Sequence, residues 1–66
     1  MFTIQIDKKT NQYYVVEISN IIQTLDMYNN VVTTNNKTIW VENKLIFNTK
    51  EEAVKKAQEL NHNKIS

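Results

Sequence analysis

Cysteine, glycine, proline and arginine are all missing from this chain of 66 residues. Without cysteine there is no disulfide, no thiolate metal ligand and no thiol nucleophile. A single histidine, His62, excludes the usual zinc clusters, which need several nitrogen or sulfur ligands. The sequence therefore predicts one domain over residues 1–66, with no metal site and no cofactor. So small a domain buries only about 60% of the surface of its unfolded chain, and self-association or a partner is expected to support it.

The basic residues are eight lysines, and the formal net charge is +1. Arginine normally supplies the bidentate hydrogen bonds to guanine and phosphate, so its absence argues against base-specific recognition of DNA. Weak contact of lysines with phosphates remains open. The candidates for such a contact lie in or beside predicted turns: Lys8, Lys9, Lys37 and Lys44.

Long apolar runs are also missing, and none approaches the roughly 20 residues of a membrane span. The first residues, MFTIQIDKK, alternate between apolar and polar instead of forming a charged start and an apolar block, so they are not expected to be a secretory signal. These features predict a cytoplasmic protein without a membrane contact.

The N-terminal third alternates with period two, which predicts a hairpin of two strands, FTIQI and QYYVVEIS, around the polar turn DKKTN. We expect one face of this hairpin to pack against a helix. The residues assigned to that face are Phe2, Ile4, Ile6, Tyr14, Val16 and Ile18. Tyr13 and Val15 would then lie on the opposite face.

Further strands are predicted in VVTTNNKTIWV, where Asn35-Asn36 can supply the positive φ angles of a tight turn. A similar hairpin is indicated around Glu42-Asn43. Residues 20–28 are ambiguous, because their apolar positions fit a short helix as well as a strand.

The stretch IFNTKEEAVKKAQEL predicts the C-terminal helix, over residues 50–61. Thr49 is placed as the N-cap, and Glu52 at the third helical position completes a capping box. The fold class is therefore α+β, a small antiparallel β-sheet of four to five short strands packed by one C-terminal helix.

The segments YYV, IWV and FNTKEEA together resemble the arm-type DNA-binding domains at the N-termini of tyrosine recombinases, the phage and transposon integrases. That family typically has a three-stranded sheet packed on one C-terminal helix. The resemblance covers about half the chain and is carried by Phe47, Thr49, Lys50, Glu52 and Ala53, with Tyr14 and Trp40 near the positions of family aromatics. It implies a DNA-associated factor, but the family contacts the major groove with basic side chains from the sheet, and here only lysines are available.

Catalysis is not expected, because the sequence offers no recognisable set of positioned acid, base or nucleophile. Apolar residues on the second face of the sheet instead predict a protein contact made by Tyr13, Val15 and Trp40. The alternative is that residues 19–30 fold over that face and cover it.

The sequence thus predicts a small non-enzymatic binding protein, a regulator or inhibitor of the phage or mobile-element type that contacts a host protein, with homodimer formation also open. A small DNA-associated factor is the alternative function.

Overall fold

Within residues 1–65, five antiparallel strands precede a single C-terminal helix. The computed structural model describes the backbone of residues 1–65 and the side chains of residues 1–63. The elements are β1 (Phe2–Asp7), β2 (Gln12–Glu17), β3 (Asn20–Thr24), β4 (Asn29–Thr34), β5 (Lys37–Glu42), a 3₁₀ turn (Asn43–Leu45) and α1 (Lys50–Ile65). The predicted α+β fold with a C-terminal helix is confirmed.

The strands form two sheets, a β1–β2 hairpin and a three-stranded sheet in the order β3-β4-β5. All of the strand pairs join neighbours in the sequence and are antiparallel. Helix α1 packs against β2 and, less extensively, against β1. Ala53 and Ala57 are buried on the helix, and their small side chains allow a close approach to the strands.

The predicted N-cap is confirmed, whereas in the predicted capping box Glu52 accepts from the Thr49 hydroxyl in place of the Thr49 backbone amide. The Glu52 amide donates to Thr49 Oγ1 at 3.3 Å, and the Thr49 hydroxyl donates to Glu52 Oε1 at 3.0 Å. These bonds satisfy one of the amides that a helix start leaves without a partner. The helix runs to Ile65, four residues beyond the predicted end at residue 61.

Asparagine provides the positive φ angles of the turns. Asn35 and Asn36 have φ values of 46° and 65°, and Asn11 in the first hairpin turn has a φ of 61°. The prediction for Asn35-Asn36 is therefore confirmed, and asparagine takes the place of glycine because its short polar side chain tolerates left-handed backbone.

The predicted assignment of the β2 side chains to the two faces of the hairpin is wrong. The register pairs Ile4 with Val15 and Ile6 with Tyr13, and residues directly opposite each other in an antiparallel pair lie on the same face. Tyr13 and Val15 therefore share a face with Ile4, while Tyr14 and Val16 lie on the other face.

The short helix allowed at residues 20–28 does not form. This segment is β3 and the turn that leads into β4, and all five residues of β3 are exposed. Residues 20–24 therefore form the edge strand of a sheet, and the alternative in which residues 19–30 cover the second face of the hairpin is not observed.

The hairpin predicted around Glu42-Asn43 is replaced by the 3₁₀ turn. After that turn the chain reaches β1, where Phe47 and Phe2 exchange two backbone hydrogen bonds of 2.8 Å. A core cluster fills the space beside the three-stranded sheet, and it comprises Ile18, Val32 and Val41 with the partly buried Ile39, Leu45 and Ile46.

Candidate functional site

Exposed apolar side chains concentrate on the three-stranded sheet. Nine large hydrophobic side chains are exposed in the part of the chain that the structure describes, and six of them belong to this sheet and the β3–β4 turn. These six are Ile21, Ile22, Leu25, Met27, Tyr28 and Trp40. Such a concentration on a small protein is typical of a contact surface.

Trp40 stands on the face of this sheet that points away from the core. It lies opposite Val31 of β4, and Val31 in turn lies opposite Gln23 of β3. The three side chains form a row across the sheet, and the Trp40 side chain is 57% exposed. A tryptophan presented in this way offers a large contact area to a partner.

The β3–β4 turn lies at one end of the same sheet. Met27 and Tyr28 are 77% and 69% exposed there. With Glu42 and Lys44 they line a shallow groove, and Glu42 follows Trp40 by two residues on the same face of β5. We call Trp40, Met27 and Tyr28, together with this groove, the turn surface.

Asp26 fixes the shape of the turn. Its Oδ1 accepts hydrogen bonds from the Tyr28 amide at 2.7 Å and from the Asn29 amide at 2.9 Å. The Asn29 side-chain amide also donates to both carboxylate oxygens. The Tyr28 amide, followed by the Asn29 side chain, lowers the pKa of Asp26 below its ordinary value. Met27 and Tyr28 are therefore presented by an ordered turn, which reduces the conformational entropy lost on binding.

Tyr13 and Val15 lie in the other sheet. Both are half-buried, in contrast to the exposed Trp40. Tyr13 borders a groove with Leu45 and Leu60, and Val15 lies opposite Ile4. The three residues predicted to make one protein contact thus do not form one row, and their contact role stays a prediction.

The four candidate lysines are exposed but dispersed. Lys8 and Lys9 belong to the β1–β2 turn. Lys37 is the first residue of β5, whereas Lys44 follows the last residue of that strand by two positions. Because six residues of strand span roughly 17 Å, Lys37 and Lys44 are far apart. The Lys44 ammonium also lies 3.3 Å from Glu42 Oε2. A nucleic-acid contact of these lysines stays a prediction.

No group of three or more histidine, aspartate or glutamate side chains suited to hold a metal ion occurs within the described part of the chain. His62 is exposed and lies within α1, because the helix continues beyond residue 61, its predicted end. None of the helices within residues 1–65 is long and apolar enough to cross a membrane.

Sequence reasoning missed Met27 and Tyr28 as surface residues. The signal was present in LDMYNN, because an aspartate followed by asparagines favours a turn closed by side-chain hydrogen bonds. A turn at that position predicts exposure of the two residues between Asp26 and Asn29.

A comparison of the chain with protein-family models, curated proteins and solved structures finds no match. The resemblance to integrase arm-type domains therefore stays a prediction.

Proposed function

We propose that this protein is a non-enzymatic binding module that acts by contact with another protein through the turn surface. The support is the exposure of Trp40, Met27 and Tyr28 on rigidly held backbone: Trp40 on a paired strand and the other two in the turn that Asp26 closes. Tryptophan and tyrosine are favoured at the centres of interfaces.

The proposed activity is steric. By covering a surface of its partner, the protein regulates or inhibits that partner. This activity corresponds to the role predicted from the sequence, that of a phage-type or mobile-element-type regulator or inhibitor of a host protein. Glu42 and Lys44 line the groove, and their side chains form an ion pair of 3.3 Å. They supply polar groups around the apolar side chains, an arrangement that is typical of protein interfaces.

The proposal is tested by affinity capture from a lysate of the source cells with four immobilised proteins: the native chain, Trp40→Ser, Met27→Ser/Tyr28→Ser and Tyr14→Ser. Tyr14 is the matched control, because it is 48% exposed but lies in the other sheet. We expect a protein that the native chain and Tyr14→Ser retain and that both turn-surface variants lose. Equal retention by all four proteins would exclude the turn surface as the contact site.

A further inference from the structure

β3 is an edge strand with an unusual degree of exposure. Among residues 1–65 it pairs with β4 alone, and each of its five residues is exposed. The outer side of an edge strand presents backbone N–H and C=O groups that can pair with another chain. β3 therefore offers a position at which a further strand can join the sheet.

The other strand edges are occupied or carry charge. On β2, the Asn61 side chain exchanges two hydrogen bonds with the Tyr13 backbone. On β1, Phe47 pairs with Phe2. β5 begins at a lysine and ends at a glutamate, and charged side chains discourage edge-to-edge pairing.

Among the described residues, neither a paired segment nor a charged side chain protects the outer edge of β3. Residues 18–25, ISNIIQTL, contain no charged side chain, and the chain has no proline. Ile21 lies opposite Val32, which is fully buried, yet Ile21 itself is 39% exposed. The apolar face of the sheet therefore continues to the edge and ends there in contact with solvent.

A β-bulge at Ile22 shifts the register between Ile21 and Gln23. Bulges twist an edge strand and limit the length of an added ladder. If β3 pairs with the same strand of a second copy about a two-fold axis at Ile22, the two identical bulges lie opposite each other. The residues on either side of the bulge then stay in register.

We infer that β3 pairs in antiparallel orientation with β3 of a second copy of this chain, which joins two three-stranded sheets into one of six strands. A second copy fits this edge because residues 18–25 are uncharged, so that self-pairing brings no like charges together. It also lets the exposed Ile21 and Ile22 of each copy cover those of the other.

This inference does not rest on the proposed function, since the edge lies apart from the face that carries Trp40. An axis perpendicular to the sheet keeps the outer faces of both copies on one side. The two Trp40 side chains would therefore be displayed together, and dimer formation would add to stability by mass action.

The first test measures association by sedimentation equilibrium over a wide range of concentration. Ile22→Lys places a charge on the edge, at a side chain that is 51% exposed. Thr38→Lys is the matched control, because Thr38 is exposed on β5, at the other edge of the same sheet. We expect dimers of the native chain and of Thr38→Lys, and a monomer for Ile22→Lys with an unchanged circular dichroism spectrum. A native chain that stays monomeric, or a dimer that Ile22→Lys does not weaken, would overturn the inference.

The second test uses the absence of cysteine from the chain. Ile21→Cys, Ile22→Cys and Gln23→Cys are oxidised under mild conditions beside Thr38→Cys as the control. Opposed residues of an antiparallel pair lie about 4.5–5.5 Å apart, within the range that a disulfide bridges. We expect rapid formation of a covalent dimer by at least one β3 variant, and the variant that reacts fastest identifies the residue nearest the axis. Cross-linking of all three variants at the rate of Thr38→Cys would contradict the pairing.

Discussion

The side-chain amide of Asn61 forms two hydrogen bonds with the backbone of Tyr13, 48 residues away. The Tyr13 amide donates to Asn61 Oδ1 at 2.7 Å, and Asn61 Nδ2 donates to the Tyr13 carbonyl at 3.1 Å. The amide group thus bonds to β2 as the peptide group of a neighbouring strand would. It joins the helix to the hairpin edge by directed bonds as well as by apolar packing.

Asn61→Ala is expected to lower the free energy of unfolding by about 1–3 kcal/mol, because two half-buried backbone groups of Tyr13 lose these hydrogen bonds. Denaturant titration measures the change. Gln58→Ala is the matched control on an exposed position of the same helix and should be nearly neutral. Equal stability of the two variants would show that these bonds contribute nothing net.

Thr49→Ala is expected to cost about 1 kcal/mol through the lost N-cap, which corresponds to a decrease in Tm of about 4–8 °C for a domain of this size. Ala57→Asp should be far more damaging, because it places a charge at a buried position against the strands. Thermal unfolding followed by circular dichroism separates the two effects. An unchanged Tm for Ala57→Asp would contradict the assigned face of the helix.

Thr3→Val is expected to stabilise the protein. Thr3 is fully buried, and its hydroxyl oxygen makes no hydrogen bond within the described part of the chain. Folding therefore removes this polar group from water without replacing the lost bonds. Valine has nearly the same shape and should raise the free energy of unfolding by about 1–2 kcal/mol. Thr3→Ser keeps the hydroxyl but loses the methyl group, and it should be less stable than the native chain. A loss of stability in Thr3→Val would indicate that the hydroxyl has a partner.

The β3–β4 turn is expected to loosen at acidic pH. The pKa of Asp26 is lowered in the folded chain, chiefly by the Tyr28 amide. Its contribution to stability is therefore complete above the ordinary aspartate pKa of about 3.9, and it is lost as the pH falls through the lower folded value. The amide NMR shifts of Tyr28 and Asn29 should report this titration. Asp26→Asn keeps an acceptor but does not titrate, and the same shifts should then stay constant with pH.

Contact with duplex DNA, if the lysines make it, is expected to be weak and independent of sequence. Dissociation constants of about 10⁻⁴–10⁻⁶ M, rising steeply with salt, are typical of such binding. Fluorescence anisotropy with labelled duplexes at several salt concentrations measures this, and Lys8→Gln/Lys9→Gln tests the turn that carries two neighbouring lysines. A footprint on one defined site at physiological salt would instead favour the DNA-associated alternative.

Local signals were sufficient to predict the helix start and one turn. Thr49 and Glu52 interact within a single helical turn, and Asn35 and Asn36 adopt their positive φ angles in adjacent positions. Such features depend on residues close in sequence, so that the pattern alone identifies them.

The faces of the first hairpin could not be predicted in the same way. Alternation shows that each strand has two faces, but the turn decides which face of β2 joins which face of β1. Here Asp7 lies opposite Gln12 across a turn of four residues. Even-numbered positions of β1 therefore face odd-numbered positions of β2. In the same sequence, a turn one residue longer would have paired Ile4 with Val16, and a turn one residue shorter would have paired Ile4 with Tyr14.

The bulge explains why the sequence of residues 20–28 was ambiguous. An extra residue at Ile22 interrupts the alternation of β3, and two adjacent isoleucines then look as much like a helix as a strand. Exposure was predicted for Trp40 but not for Met27 and Tyr28, because the exposure of these two residues depends on the turn that Asp26 closes.

The order of the elements has a consequence for folding during synthesis. Each strand pairs with its neighbour in the chain, so that both sheets need only short loop closures, which are rapid. The bonds between Tyr13 and Asn61 join residues that are 48 positions apart, so they can form only after the helix has been synthesised. A nascent chain that has completed its strands still exposes the edge of β2 until the helix emerges, and we expect this interval to be its most aggregation-prone stage.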